Sequence, residues 1–515
     1  MNSFDKPHVV AVPFPAFGHA IPFLDLVKLL ASHGLTVTCV TTAANAGHRL
    51  QQQLAHAISG GLDIRVLVLP TPSVEGLPEG LESFDQVPTE QCYLIFELVA
   101  KLEESFNVWL EDQLSKDWQQ GTGPLVCVMH DVILGWTMEV PRKHNIPIVV
   151  FDTYGAFGLS VLHSAWLSSS RNVVEKEGES IVLSLDLPRT LRLDKHEIDP
   201  FLFEPSIIAF MGRLESVYES SGMLVNTFEQ LEPEYLQQLR KRTGKKVWSI
   251  GPLLPANVFS GAVKTSARGK MTDISEKELL EWLDSQSPSS VVYISFGSQV
   301  FLSEEQSKAL ASGLEATGQP FIWVIKACPK IEPGTSDRPL DPPCMYLPEG
   351  FKERTRNRGL VIWGWAPQLL ILSHPSLGAF MSHCGWNSML ESVTFGVPLI
   401  TWPMHVDQHF NSKLAVKLGI GIQVCENRGS VPEKQRVEEG VTRVFSRGEG
   451  TEMKSAAEKL KHMARKAVAD GGTSNANLKD FVSDMFKLHK GRKGVACGDS
   501  RKLNCKKILG IKSIS

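Results

Sequence analysis

The chain has 515 residues, too many for one ordinary hydrophobic core, so two domains of roughly 200–250 residues each are expected. A formal net charge of −3, with 43% hydrophobic and 21% charged residues, describes a globular protein and excludes a general attraction to nucleic acid. Nine irregularly spaced cysteines without a CxxC pair, no N-x-Ser/Thr sequon, no leader-like start and no apolar run of roughly 18–20 residues point to reduced thiols, a cytoplasmic monomer and no integral membrane segment.

The first half alternates strand-like and helix-like segments. Val9–Phe14 reads as a buried strand. The loop after it, PAFGHAIPFLDL (Pro15–Leu26), opens a helix expected over Phe23–His33, with Pro22 in the first turn and Gly34 as the stop. Such a loop is where α/β proteins bind phosphate, yet this one has a single glycine and places His19 directly after it. Leu35–Val40, Pro124–Met129 and Ile146–Phe151 are further strands, and their continuous apolarity suits a parallel sheet covered on both faces. Gly222–Leu236 repeats the strand-to-helix pattern.

A boundary falls in the Pro-, Gly- and Ser-rich stretch Ile250–Lys270, after which the alternation restarts. Val291–Phe296 is a strand, and SEEQ at Ser303–Gln306 is a capping box that opens a helix to about Ala316. Phe321–Ile325, Leu360–Trp363, Gly378–Ser382 and Val397–Trp402 are strands, with an irregular Pro-rich loop over Lys326–Glu349. Two successive arrays of this kind imply an α/β protein of two facing, doubly wound Rossmann-like domains with a cleft between them. The division is 1–250, a linker at 251–270, and 271–473. A helix at about 474–486 packs back on the first domain, and a basic tail, 487–515, is expected to be disordered.

The usual nucleotide and metal motifs are missing: there is no P-loop, no complete dinucleotide glycine fingerprint, no HExxH, no DxD and no GxSxG. The densest constellation is Trp365–Gln408. Within it a strand leads into HCGWNS and then a helix from about Asn387 to Phe395, with Gly396 as its stop. A helix N-terminus at a strand end is an anion site. Gly385 permits close approach there, and His383, Asn387 and Ser388 add donors. Glu391 can accept from ribose hydroxyls, Trp365 offers a flat face to a base with Gln368 in the same turn, and Asp407 and Gln408 suit a polyol. Together these describe a site for a nucleotide-sugar. Taken singly, His383 and Trp365 would be ordinary structural residues, and Cys384 is a small packed residue without a catalytic role.

This 44-residue block, with WAPQ, HCGWNS and a final DQ, resembles the signature box of the plant secondary-product UDP-glycosyltransferases, family 1, of the GT-B fold. Weaker similarities run from about His8 to Phe486: PFPAFGH, LVNTFEQLE, IGPLLP, YISFGS and LPEGF. The resemblance implies that Trp365 stacks on uracil, with the Ala366 backbone pairing to it. It implies that Gln368 and Glu391 hold the ribose, and that Ser298, His383, Asn387 and Ser388 bind the diphosphate. Trp386, Asp407, Gln408 and Thr153 then face the sugar, and Gln408 at the last position favours UDP-glucose. By the same resemblance His19 is the general base, with Asp131 in VMHDVILGW fixing its tautomer and stabilising the imidazolium. His130, beside that Asp, is structural or solvent-facing, and Asp152 beside Thr153 is less expected.

The resemblance implies an inverting, metal-independent transfer without a cofactor, the UDP-sugar being a co-substrate. The acceptor is a small phenolic such as a flavonoid, with Phe17 and Ile133 as candidate lining residues. Other readings stay open: another UDP-sugar such as UDP-galactose or UDP-rhamnose, a nucleotide-sugar-binding protein without transferase activity, or a dinucleotide-dependent oxidoreductase.

Overall fold

The computed structural model describes residues 6–46, 51–88, 91–116, 124–170, 175–177, 180–183, 191–194, 216–261, 272–326, 347–425 and 430–496. The tail beyond 496, most of the Pro-rich loop after Lys326 and the second half of the linker lie outside these residues.

The first sheet has seven strands: β1 (His8–Val12), β2 (Thr36–Thr42), β3 (Ile64–Leu69), β4 (Leu125–Asp131), β5 (Ile148–Asp152), β9 (Gly222–Val225) and β10 (Val247–Ser249). Three short strands, β6 (Glu175–Glu177), β7 (Ser180–Leu183) and β8 (Leu191–Asp194), form a separate antiparallel sheet. The order in the first sheet is β10-β9-β5-β4-β1-β2-β3, all parallel. Ala11 of β1 lies beside Cys39 of β2 on one side and Met129 of β4 on the other. The continuous apolar runs read from the sequence are these strands, buried at both faces.

The second sheet has six parallel strands: β11 (Val291–Ser295), β12 (Phe321–Ile325), β13 (Gly359–Trp363), β14 (Leu377–Ser382), β15 (Leu399–Thr401) and β16 (Gly421–Gln423), in the order β13-β12-β11-β14-β15-β16. In each sheet the chain builds outward from a founding strand and then returns to build on its other side. The strand order therefore reverses between β1 and β4 and between β11 and β14. At such a switch point consecutive loops leave toward opposite faces and open a crevice at the carboxyl edge.

Five helices bear on the site or on the joining of the halves: α1 (Phe17–Ser32), α2 (Gly155–Ser170), α3 (Trp386–Phe395), α4 (Gln408–Lys417) and α5 (Thr473–Ala496). Helix α1 begins six residues earlier than Phe23, so Pro22 lies inside it rather than at its start. The expected capping box is present: Ser303 caps Glu304–Thr317 and Gln306 reaches back to the Ser303 N–H. Helix α3 ends at Gly396, whose φ of 72° is left-handed.

Helix α5 belongs with the first sheet. Leu478, Phe481, Val482, Met485 and Leu488 join the core made by β1, β2 and α1. A polar clamp fixes the helix to β10. Trp248 Nε1 and Lys246 Nζ both donate to Asp480, and Ser474 Oγ donates to the Gly251 carbonyl. The helix runs ten residues past Phe486, into the segment read from composition as a disordered tail, because the buried Leu488 continues its apolar stripe. Among the described residues no helix is long and apolar enough to cross a membrane. Phe481 is fully buried, edge-on to Trp248 at 5.3 Å. Phe481→Ala should destabilise the first half by about 3–5 kcal/mol, read as an earlier denaturant transition of that half.

Candidate active site

The His19 side is built from three distant segments. Helix α1 begins at Phe17 because Asp85 Oδ2 accepts the Phe17 N–H at 2.7 Å, while Ser83 Oγ donates to the Pro15 carbonyl at 3.0 Å. His19, in the first turn, thus stands at the carboxyl edge of β1. Asp131 closes β4, on the other side of the switch point. His19 Nδ1 and Asp131 Oδ2 are 2.8 Å apart, and Thr153 Oγ1 lies 3.0 Å from the same nitrogen. Two oxygens converging on Nδ1 place the ring proton there and leave Nε2 as the acceptor. Asp131 is fully buried, and its Oδ1 accepts the Ile133 N–H. The imidazole stands edge-on to Phe14 at 5.3 Å and to Tyr154 at 5.1 Å. Burial alone would depress its pKa. The charge and hydrogen bond of Asp131, with more distant help from Asp407 and Asp85, overcome this and hold it above the ordinary 6.5.

The opposite wall is the carboxyl edge of β11 and β14. Gly385 is the N-cap of α3. The His383 ring packs between Gly297 and Gly385, where a Cβ on either glycine would collide with it. Burial, then the neighbouring Lys326 and His405, lower the His383 pKa to about 3, so this imidazole is neutral at pH 7. Gln368 Nε2 donates to Glu391 Oε2 at 2.6 Å and to Ser388 Oγ at 3.2 Å, and its own Oε1 accepts from Tyr293 Oη at 3.2 Å. Asp407 Oδ2 accepts from Asn411 Nδ2 at 2.6 Å, and burial raises the Asp407 pKa to about 6. The Gln408 carbonyl oxygen takes the N–H groups of Met404 and His405, both at 2.9 Å, which leaves its amide nitrogen as the donor end.

The two walls enclose one cavity of about 280 Å³. Of the residues singled out in the sequence, Phe17, His19, Ile133, Thr153, Ser298, Trp365, Ala366, Gln368, His383, Gly385, Trp386, Asn387, Ser388, Glu391, Asp407 and Gln408 all line it. Asp131 stands directly behind His19. Trp386 and Asn387 also tie the walls together. Trp386 Nε1 donates to the Asn226 carbonyl at 2.7 Å, its ring lying against Gly155, and Asn387 Nδ2 donates to the Gly18 carbonyl at 2.6 Å. That carbonyl lacks its helical partner because Pro22, four residues on, has no N–H. His130 is not solvent-facing: it is fully buried on the face opposite Asp131, donates through Nδ1 to the Asp131 carbonyl at 2.7 Å, and burial lowers its pKa to about 4. Asp152 is also buried. Its Oδ1 accepts the Tyr154 N–H, and burial raises its pKa well above the carboxylate range.

Two family models match: "UDP-glucoronosyl and UDP-glucosyl transferase" over residues 205–434 and "Glycosyltransferase, N-terminal domain" over 5–255. Scopoletin glucosyltransferase of Nicotiana tabacum is 37% identical over 492 residues, covering 93% of this chain and 98% of that protein. UDP-glucose flavonoid 3-O-glucosyltransferase 7 of Fragaria ananassa is 35% identical, with 95% and 98% covered. The crystal structure of UGT73P12 from Glycyrrhiza uralensis, complexed with glycyrrhetinic acid 3-O-monoglucuronide, superposes with a TM-score of 0.81 at 30% identity, over 95% of this chain and 98% of that one.

The chain belongs to the plant family 1 UDP-glycosyltransferases. It is a UDP-sugar-dependent glycosyltransferase of the GT-B fold.

Several residues of this glycosyltransferase site escaped the sequence reading. Phe84, Phe96, Leu159 and Leu162 form an apolar wall beside His19. Asp273, just past the linker, clamps Trp365: its Oδ2 accepts the Trp365 N–H at 2.7 Å and its own N–H donates to the Trp365 carbonyl at 3.0 Å. Tyr293, within the YISFGS stretch, fixes the amide orientation of Gln368. That stretch was visible in the sequence, whereas nothing there marked Asp273 or Phe84. Gly297 carries φ 74°, and a side chain there would meet His383. Gly297→Ala should lower UDP affinity roughly tenfold, from about 1–2 kcal/mol of strain, with the loss read by calorimetric titration.

Proposed function

We propose that the protein transfers glucose from UDP-glucose to a hydroxyl group of a small phenolic acceptor such as a flavonoid, with inversion at the anomeric carbon. The observation that carries this reading is the His19–Asp131 pair, whose free Nε2 stands in the same cavity as the α3 N-terminus. The acceptor lies against Phe17, Ile133, Phe84 and Phe96, a wall suited to flat aromatic rings. Its hydroxyl proton passes to His19 Nε2 as its oxygen bonds to the anomeric carbon. The bond from that carbon to the β-phosphate oxygen breaks, and its electron pair leaves with UDP. Asp131 stabilises the resulting imidazolium. Thr153, on Nδ1 of the base, keeps the ring in register.

Trp365 and the Ala366 backbone receive the uracil, and Gln368 with Glu391 the ribose. Ser298, Ser388, Asn387 and the neutral His383 donate to the diphosphate at the α3 N-terminus. Trp386, Asp407 and Gln408 face the sugar, and the donor end of Gln408 supports glucose. The similarity to the Fragaria UDP-glucose flavonoid 3-O-glucosyltransferase supports both donor and acceptor class. No metal ion or cofactor takes part in this scheme, so a chelator should leave the rate unchanged.

Incubation with UDP-glucose and a panel of phenolics, followed by mass spectrometry, should show one added hexose. His19→Ala should lower kcat by roughly 10²–10⁴-fold with UDP affinity preserved. Turnover equal to that of the unaltered enzyme would sink the base assignment. UDP-galactose or UDP-rhamnose used in preference to UDP-glucose would overturn the donor, and no turnover with UDP still bound would favour a binding protein.

The pH dependence has a definite sign. The active base is neutral imidazole, and Asp131 favours the charged form, so His19 titrates above 6.5. Activity should therefore fall as pH drops through that raised pKa. Asp131→Asn should both slow the reaction and move this acidic limb to lower pH, measured as kcat/KM against pH.

A further inference from the structure

Among the described residues the wall of the active-site cavity carries Asp407 and Glu391, with Asp131 behind His19, but a single lysine or arginine, Lys326. Lys326 follows β12 immediately. Its Nζ donates to the Gly297 carbonyl and lies 5.0 Å from the centroid of the Trp365 ring. Gly297 is also the residue against which the His383 ring packs, and His383 packs in turn on Gly385, the N-cap of α3. The ammonium group thus stands between the nucleobase platform and the helix N-terminus. A nucleoside diphosphate whose base lies on Trp365 and whose phosphates reach α3 must pass it.

Charge makes the position consequential. A UDP-sugar brings two negative charges into a cavity that already holds carboxylates, and UDP leaves with one more. The α3 N-terminus offers roughly half a positive charge. His383 is neutral near pH 7, so it supplies a hydrogen bond but no charge. Among the described lysines and arginines, the Lys326 ammonium alone lines this wall and brings a full charge of the required sign to the path between Trp365 and α3. The bond that Lys326 now makes has a neutral carbonyl as acceptor, whereas a phosphate oxygen carries the opposite charge and adds Coulomb attraction to the hydrogen bond. Exchange of the Gly297 carbonyl for a phosphate oxygen would also clear the Trp365 face for the base.

We infer that Lys326 is the cation that binds the donor diphosphate and stabilises the charge gained by the β-phosphate oxygen as the bond to the anomeric carbon breaks. The inference rests on the reading in which Trp365 and the α3 N-terminus hold UDP.

The test compares UDP with uridine, which has the same base and ribose but no phosphates, by calorimetric titration of the full-length enzyme. Lys326→Ala and Lys326→Gln should weaken UDP roughly ten- to hundredfold, the loss of one charge-assisted hydrogen bond, and leave uridine unchanged. Lys326→Arg should recover most of the loss. The same neutral variants should lower kcat at saturating donor, because the charge grows in the transition state. UDP affinity unchanged in the neutral variants, or UDP and uridine weakened alike, overturns the assignment. Trp365→Ala separates the underlying reading: it should weaken uridine and UDP together, and unchanged uridine affinity there overturns the nucleobase platform itself. Thermal midpoints close to that of the unaltered enzyme establish that each variant is folded.

Discussion

The reversal of strand order in each sheet is the constraint on which the site depends. Because β4 was laid down beside β1 only after β2 and β3 had been built on the other side, the loops after β1 and β4 diverge at their carboxyl edges. His19 leaves one edge and Asp131 the other, and they meet across the gap at 2.8 Å. The second sheet repeats the device with β11 and β14, whose edges carry Gly297 and the His383–Gly385 turn. Apposed, they line one cavity with the His19 imidazole on one wall and a helix N-terminus on the other.

The walls are held together by the residues that open α3. Trp386 and Asn387 each donate a side-chain hydrogen bond to a backbone carbonyl of the first half, at Asn226 and Gly18. The Gly18 carbonyl is available for a reason visible in the sequence: Pro22 cannot serve it. Gly18 adjoins His19, so the first turn of α3 also bears on the turn that carries the His19 imidazole. Phe17 meets Trp365 ring to ring at 5.4 Å across the same seam. His19, Trp365 and the α3 N-terminus are thereby placed in one frame.

Much of this was legible in the sequence because the signals are local. The capping box at Ser303–Gln306, the left-handed stop at Gly396 and the glycine-poor loop around His19 each depend on residues within a few positions. The HCGWNS turn was equally plain, since strand, glycine and helix are contiguous there. Two of the departures have their origin in distant partners. Helix α1 starts at Phe17 because Asp85, 68 residues on, takes its first N–H. Asp273 holds Trp365 from 92 residues away. For His130 the sequence left a structural and a solvent-facing place open, and the structure has the structural one: the ring is buried and its Nδ1 donates to the neighbouring carbonyl. The strands β10 and β16, three residues each, are too short to show a period.

Helix α5 has a mechanical meaning beyond the core it completes. The chain passes from the first half to the second between β10 and β11, and it passes back between the helix Glu449–Val468 and α5. The halves are therefore tethered at two points rather than one. Two connections constrain the relative placement of the halves more tightly than one would. The second-half residues that make contact across the seam, Trp386, Asn387 and the Trp365 that Phe17 meets, lie between these two tethers in the chain's path, so the alignment of the two walls is held by the chain itself as well as by side chains.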